Sequence, residues 1–107
     1  MPNYKNLTIQ EFDQGIKENP EAIILDVRTP SEFASGHLEN AFNAPNISEA
    51  ISTLDPEKEY FVHCRVGGRS AVTAQYLSMK GFKNINNLND SIDNTSLKLH
   101  KSGVKVA

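Results

Sequence analysis

The run Ala22-Ile23-Ile24-Leu25-Asp26-Val27 is apolar almost throughout, without the polar alternation of a strand that has one wet face. A strand of this kind is covered on both sides, which points to a parallel sheet held between helices. Tyr60-Phe61-Val62 repeats the pattern just ahead of Cys64. Helix signals follow each run. Thr29-Pro30-Ser31-Glu32 has capping-box spacing with proline at the first helical position, and Gly36 closes the short helix it opens. Strands alternating with helices predict an α/β fold with a mostly parallel sheet.

The remaining segments fit that scheme. Thr8-Ile9-Gln10-Glu11 is a second capping box, and Phe12 and Ile16 continue its helix from Ile9 to Glu18, where Asn19-Pro20 ends it. Residues 41–44 read as a short strand before Pro45, and Asn46 as the cap of a helix reaching about Thr53. Ser70 to Lys80 is the clearest helix, with Ala71, Ala74 and Leu77 as its core stripe and Gly81 as its stop. Asn84 to Leu88 reads as the last strand. Asp90 to about Ser102 reads as a closing helix anchored by Ile92 and Leu99. With 107 residues and neither repeat nor linker, the expectation is one domain over residues 1–107.

Composition narrows the function. A net charge of −2 lacks the basic face of a sequence-independent nucleic-acid binder. No apolar stretch approaches the roughly 18 residues of a membrane span. The opening residues lack the apolar core of a secretory signal, and one cysteine cannot form an internal disulfide, so the expected location is cytoplasmic. Three scattered histidines and one cysteine have no metal-ligand spacing, so neither metal nor cofactor is expected. The cluster from Lys98 to Lys105, with His100, reads as a solvated face.

The chemistry concentrates at Cys64-Arg65-Val66-Gly67-Gly68-Arg69-Ser70. A strand, a glycine-rich turn and a helix start present backbone N–H groups to an anion. Here the group at the centre is a thiol, expected to be exposed, oxidation-prone and more acidic than free cysteine at about 8.5. Its thiolate is a nucleophile. Gly67 and Gly68 are both expected to supply unusual backbone angles, and Arg65 and Arg69 fixed positive charge. Arg28, ending the neighbouring strand, either reaches the same pocket or, as the preferred reading, pairs with Glu32. Asp26 reads as an acceptor for backbone N–H groups around the loop rather than an acid or base. His37 reads as a packed, hydrogen-bonded residue. His63 precedes Cys64 on a strand and so faces the opposite way, which argues against a cysteine–histidine dyad.

Taken together, Leu25-Asp26-Val27-Arg28-Thr29-Pro30-Ser31-Glu32-Phe33, then Gly36-His37-Leu38, then the cysteine loop and its helix resemble a single-domain rhodanese over nearly the whole chain. The resemblance implies a rhodanese-like fold with a five-stranded parallel sheet and helices on both faces. It also implies sulfur transfer through a persulfide on Cys64. The partners implied are a small anionic sulfur donor such as thiosulfate, or a partner persulfide protein, with a thiol or cyanide as acceptor. Family members often use the arginine at position 28 for substrate contact. This chain departs from the family pattern at Glu39-Asn40, at Asn89-Asp90 and in lacking tryptophan. Val66 stands where thiosulfate-using members often carry lysine.

Three other readings compete. Cysteine phosphatase loops place arginine six positions after the cysteine, where this chain has Ser70. A redox enzyme needs a second, resolving cysteine. A non-catalytic binding module has no chemical use for Cys64 with its arginines and glycines. A persulfide carrier, loaded by a partner protein, lies between the enzyme and the module.

Overall fold

The computed structural model describes residues 3–101. In chain order these form β1 (Lys5–Leu7), α1 (Ile9–Glu18), β2 (Ile23–Asp26), α2 (Pro30–Ser35), β3 (His37–Leu38), β4 (Phe42–Asn43), α3 (Ile47–Ala50), β5 (Glu59–His63), α4 (Gly68–Met79), β6 (Asn84–Leu88) and β7 (Leu99–His100). Short 3-10 turns at Ile51–Thr53 and Ile92–Asn94 complete the path. Five strands make one parallel sheet in the order β1-β6-β5-β2-β4. β3 and β7 pair antiparallel as a separate ribbon.

The unalternated runs are explained by two cores, one on each face of the sheet. Leu25, Tyr60 and Val62 pack against Ala74 and Leu77 of α4, with Ile47 and Ala50 of α3 beside them. Ile24 and Phe61 point the other way, against Ile9, Phe12 and Ile16 of α1. Successive strand residues therefore both meet protein, so neither position needs to be polar. Full burial of each large apolar side chain contributes about 1.5–3 kcal/mol, and Leu25, Val62 and Leu77 are fully buried.

Both predicted capping boxes form. Thr8 Oγ1 accepts from the Glu11 N–H at 3.2 Å while Glu11 accepts from the Thr8 N–H at 2.8 Å. Thr29 and Glu32 repeat the exchange at 3.2 and 2.9 Å. Asn46 does precede α3, but its side-chain oxygen accepts from the Ser48 hydroxyl at 2.7 Å rather than from a backbone N–H of the helix.

The end of the chain corrects the sequence reading. Residues 90–101 are not a helix. Ile92 enters the α1-side core from a 3-10 turn, and Leu99 belongs to β7, paired with Leu38. Asp13 of α1 holds the intervening segment, accepting from the Thr95 hydroxyl at 2.6 Å and the Ser96 N–H at 2.8 Å. Ser102 and Lys105, the far ends of the expected helix and charged cluster, lie outside the described residues. Among those residues, no helix is long and apolar enough to cross a membrane.

Candidate active site

β2 and β5 are parallel neighbours in which Asp26 sits beside His63, so Asp26-Val27-Arg28 and Cys64 leave the same edge of the sheet together. The Val27 N–H donates to the His63 carbonyl at 3.0 Å and carries the pairing one residue further. Beyond Cys64 the chain turns sharply at Gly67, whose φ of +101° lies in the left-handed region. A Cβ there would be strained, and it would stand 3.4 Å from the Leu88 carbonyl oxygen. Gly68 differs from expectation: its φ is ordinary, and it opens α4 two residues earlier than the sequence reading placed it.

The turn aims backbone donors at the sulfur. The Gly67 N–H reaches Cys64 Sγ at 3.1 Å and the Ser70 N–H at 3.4 Å. Gly67 is the N-cap of α4 and has no side chain to offer, so Sγ takes the role that a serine or aspartate oxygen normally plays on the third N–H of a helix. The thiol also lies 3.5 Å from Ser70 Oγ, whose own proton points to the Gly67 carbonyl at 3.2 Å. When the sulfur is ionised, that hydroxyl is free to swing and donate to it.

Cys64 is only 1% exposed, so the expected exposed thiol is instead the floor of a cradle. Burial pushes its pKa up. Hydrogen bonds from the Ser70 hydroxyl and from the N–H groups of Ser70, Gly67 and Val66 outweigh burial and leave it below the ordinary thiol value.

The charged neighbours are arranged differently from the sequence expectation. Arg28 does not pair with Glu32. It is buried, with Nη2 2.6 Å from Asp26 Oδ2 and Nε 2.9 Å from Oδ1, and Nη2 also donates to the Gly36 carbonyl at 2.6 Å. Among the described residues, the one backbone N–H donating to the Asp26 carboxylate is that of Arg28, at 3.0 Å, rather than a group of the cysteine loop. The partner of Glu32 is Arg69, through Nη1 at 2.9 Å and Nη2 at 3.2 Å. That fork, followed by the Thr29 N–H, lowers the Glu32 pKa to about 2. Arg65 lies 3.9 Å from Asp93, both well exposed, and the Val66 side chain is 72% exposed. The sequence reading missed Asp93, and it matched Glu32 to the wrong arginine because its true partner is 37 residues away.

His63 is fully buried on the side opposite Cys64. Its ring meets Phe12 edge-on at 5.9 Å, whereas the sulfur joins the core beneath α3 and α4. Its Nε2 stands 3.6 Å from Asp26 Oδ2. Burial holds this histidine below its ordinary pKa, with Asp26 opposing. His37 is packed as expected, with Nδ1 2.9 Å from the Phe33 carbonyl and its ring stacked on Phe33 at 4.0 Å. Among the described residues, no group of three or more His, Cys, Asp or Glu side chains has the arrangement to hold a metal ion.

The fold is thus a parallel α/β domain with a thiol seated against a helix N-terminus. The rhodanese-like domain model matches residues 8–98, and the chain belongs to that family. It is 34% identical over 84 residues to the putative sulfurtransferase YtwF of Bacillus subtilis, covering 77% of this chain and 82% of that protein. It is 31% identical over 90 residues to the thiosulfate sulfurtransferase GlpE of Shewanella oneidensis, covering 82% and 88%. The chain spans 36% of the rhodanese-like/PpiC domain-containing protein 12 of Arabidopsis thaliana, at 34% identity. The crystal structure of a rhodanese-related protein from Thermoplasma volcanium superposes with a TM-score of 0.77 at 26% identity, covering 92% of this chain and all of that one.

Proposed function

We propose that this protein is a sulfurtransferase that carries sulfane sulfur on Cys64. The observation behind the reading is the buried Sγ bonded by the Gly67 and Ser70 N–H groups at the start of α4. Relatives named as sulfurtransferases support it. In the first step, the Cys64 thiolate attacks the outer sulfur of a sulfane donor. The new S–S bond forms as the old one breaks, and the bonding pair leaves on the donor remnant, which is sulfite when the donor is thiosulfate. The negative charge now sits on the terminal persulfide sulfur. In the second step, a thiolate or cyanide attacks that sulfur and the Cys64 thiolate is regenerated. No proton need move in either step, which suits a site where His63 faces away. The helix N-terminus and the converging N–H groups stabilise negative charge throughout the cycle.

Intact mass spectrometry of the reduced protein after incubation with thiosulfate or a low-molecular-weight persulfide tests this reading. The expected result is a gain of one sulfur (about 32 Da) that cyanide reverses and that Cys64→Ser lacks. Sulfur transfer that survives in Cys64→Ser, or a wild type that gains nothing from any donor, overturns it and favours the binding module.

A further inference from the structure

We propose that Glu32 is a specificity-determining residue: by holding Arg69 it matches one of the loop's two cations and directs the site to organic persulfides of low charge rather than to the thiosulfate dianion. This rests on the sulfur-transfer reading and adds the class of donor.

The argument begins with how rigidly the pair is built. Glu32 Oε1 accepts from Arg69 Nη1 at 2.9 Å and also from the Thr29 N–H at 2.9 Å. Oε2 takes the second guanidinium nitrogen at 3.2 Å. The capping box of α2 therefore holds the carboxylate in place, and the two-pronged contact fixes a guanidinium on the first turn of α4. Arg69 stands in the first turn of α4 beside Ser70, whose N–H bonds Cys64 Sγ at 3.4 Å, so what neutralises Arg69 also alters the field at the sulfur.

A charge census around the loop leads to the same conclusion. Its two guanidiniums, Arg65 and Arg69, are met by the carboxylates of Asp93 and Glu32. Once Cys64 ionises, an incoming dianion meets a rim with no net positive charge. The outer surface is also partly apolar: Val66 and Val72 are both 72% exposed, and Val72 lines the same groove as Arg69, Ile47 and Tyr76. An organic persulfide, with at most one charge at the reacting end and a carbon chain behind it, matches this rim. Thiosulfate does not.

Glu32→Gln provides the test, because glutamine serves at the third position of a capping box while the charge is removed. Sulfur loading of Cys64 is measured for wild type and variant with thiosulfate and with 2-hydroxyethyl persulfide. We expect kcat/KM for thiosulfate to rise about tenfold through KM, and that for the persulfide to change less than about twofold. Thiosulfate binding is measured separately in the Cys64→Ser background, where no transfer occurs. There Glu32→Gln is expected to tighten Kd about tenfold. Asp93→Asn, which frees the exposed Arg65, is expected to stay within about twofold. The proposal fails if Glu32→Gln leaves both KM and Kd for thiosulfate unchanged, if it improves the two donors equally, or if Asp93→Asn has the same effect. If the wild type loads from neither donor while the binding shift appears, sulfur transfer is refuted and the role of Glu32 in excluding anions stands.

Discussion

The β2-to-α2 turn and the β5-to-α4 turn lie side by side at the same edge of the sheet, yet they use their polar groups in opposite ways. The first is closed. Asp26 and Arg28 satisfy one another below the surface, and Thr29 with Glu32 caps the helix that follows. The second is left open. Its N-cap is a left-handed glycine, and the N–H groups that a capping side chain would take are turned onto Cys64 Sγ. A helix start becomes an anion site when its own side chains leave its donors free. The closed turn also serves the open one, because its capping carboxylate holds Arg69.

The largest effect is expected from breaking the closed turn. Asp26→Asn leaves a buried guanidinium without its carboxylate, at a cost of about 3–5 kcal/mol by chemical denaturation. A loss under about 1 kcal/mol would show that water or a rearranged Arg28 replaces the pair. Next comes the geometry of the open turn. Gly67→Ala places a Cβ at φ +101° and is expected to cost about 1–3 kcal/mol and to slow persulfide formation about a hundredfold. Gly68→Ala has nothing within 4 Å of its new Cβ and is expected to raise stability by up to about 1 kcal/mol. Equal damage at both positions would mean that both glycines are needed, against the observed angles.

The smallest effect concerns pH. Because the cradle lowers the Cys64 pKa, persulfide loading should rise with pH through an inflection below that of a free cysteine. Ser70→Ala should move that inflection upward. A wild-type inflection at or above that of a free cysteine measured alongside it would contradict the net lowering. The sign for stability follows. The thiolate favours the folded state above the unfolded thiol's pKa, and that contribution fades as pH falls through the lower folded value.

Much of this was legible in the chain because its causes are local. Both capping boxes marked the starts of α1 and α2, and the run from Ala22 to Val27 announced a strand covered on both faces. The segments that were missed or misread took their structure from distant partners. β1 is a three-residue edge strand that exists through its pairing with β6. Ile92 and Leu99 have a spacing that suits a helix, but Asp13 and β3 hold the segment in an irregular path. The sequence reading also took both loop arginines as fixed positive charge for a donor, although only the folded chain brings Asp93 and Glu32 to them.

By itself, then, the sequence determined the α/β class and the strand-turn-helix unit at Cys64, since periodicity, capping and glycine placement act within a few residues. The tertiary structure alone decided that the thiol is buried, that Arg28 turns inward and that Arg69 is bound to Glu32. Those outcomes depend on which side chains long-range packing brings within about 3 Å of each other, and hydrogen bonds and ion pairs are made only at that range.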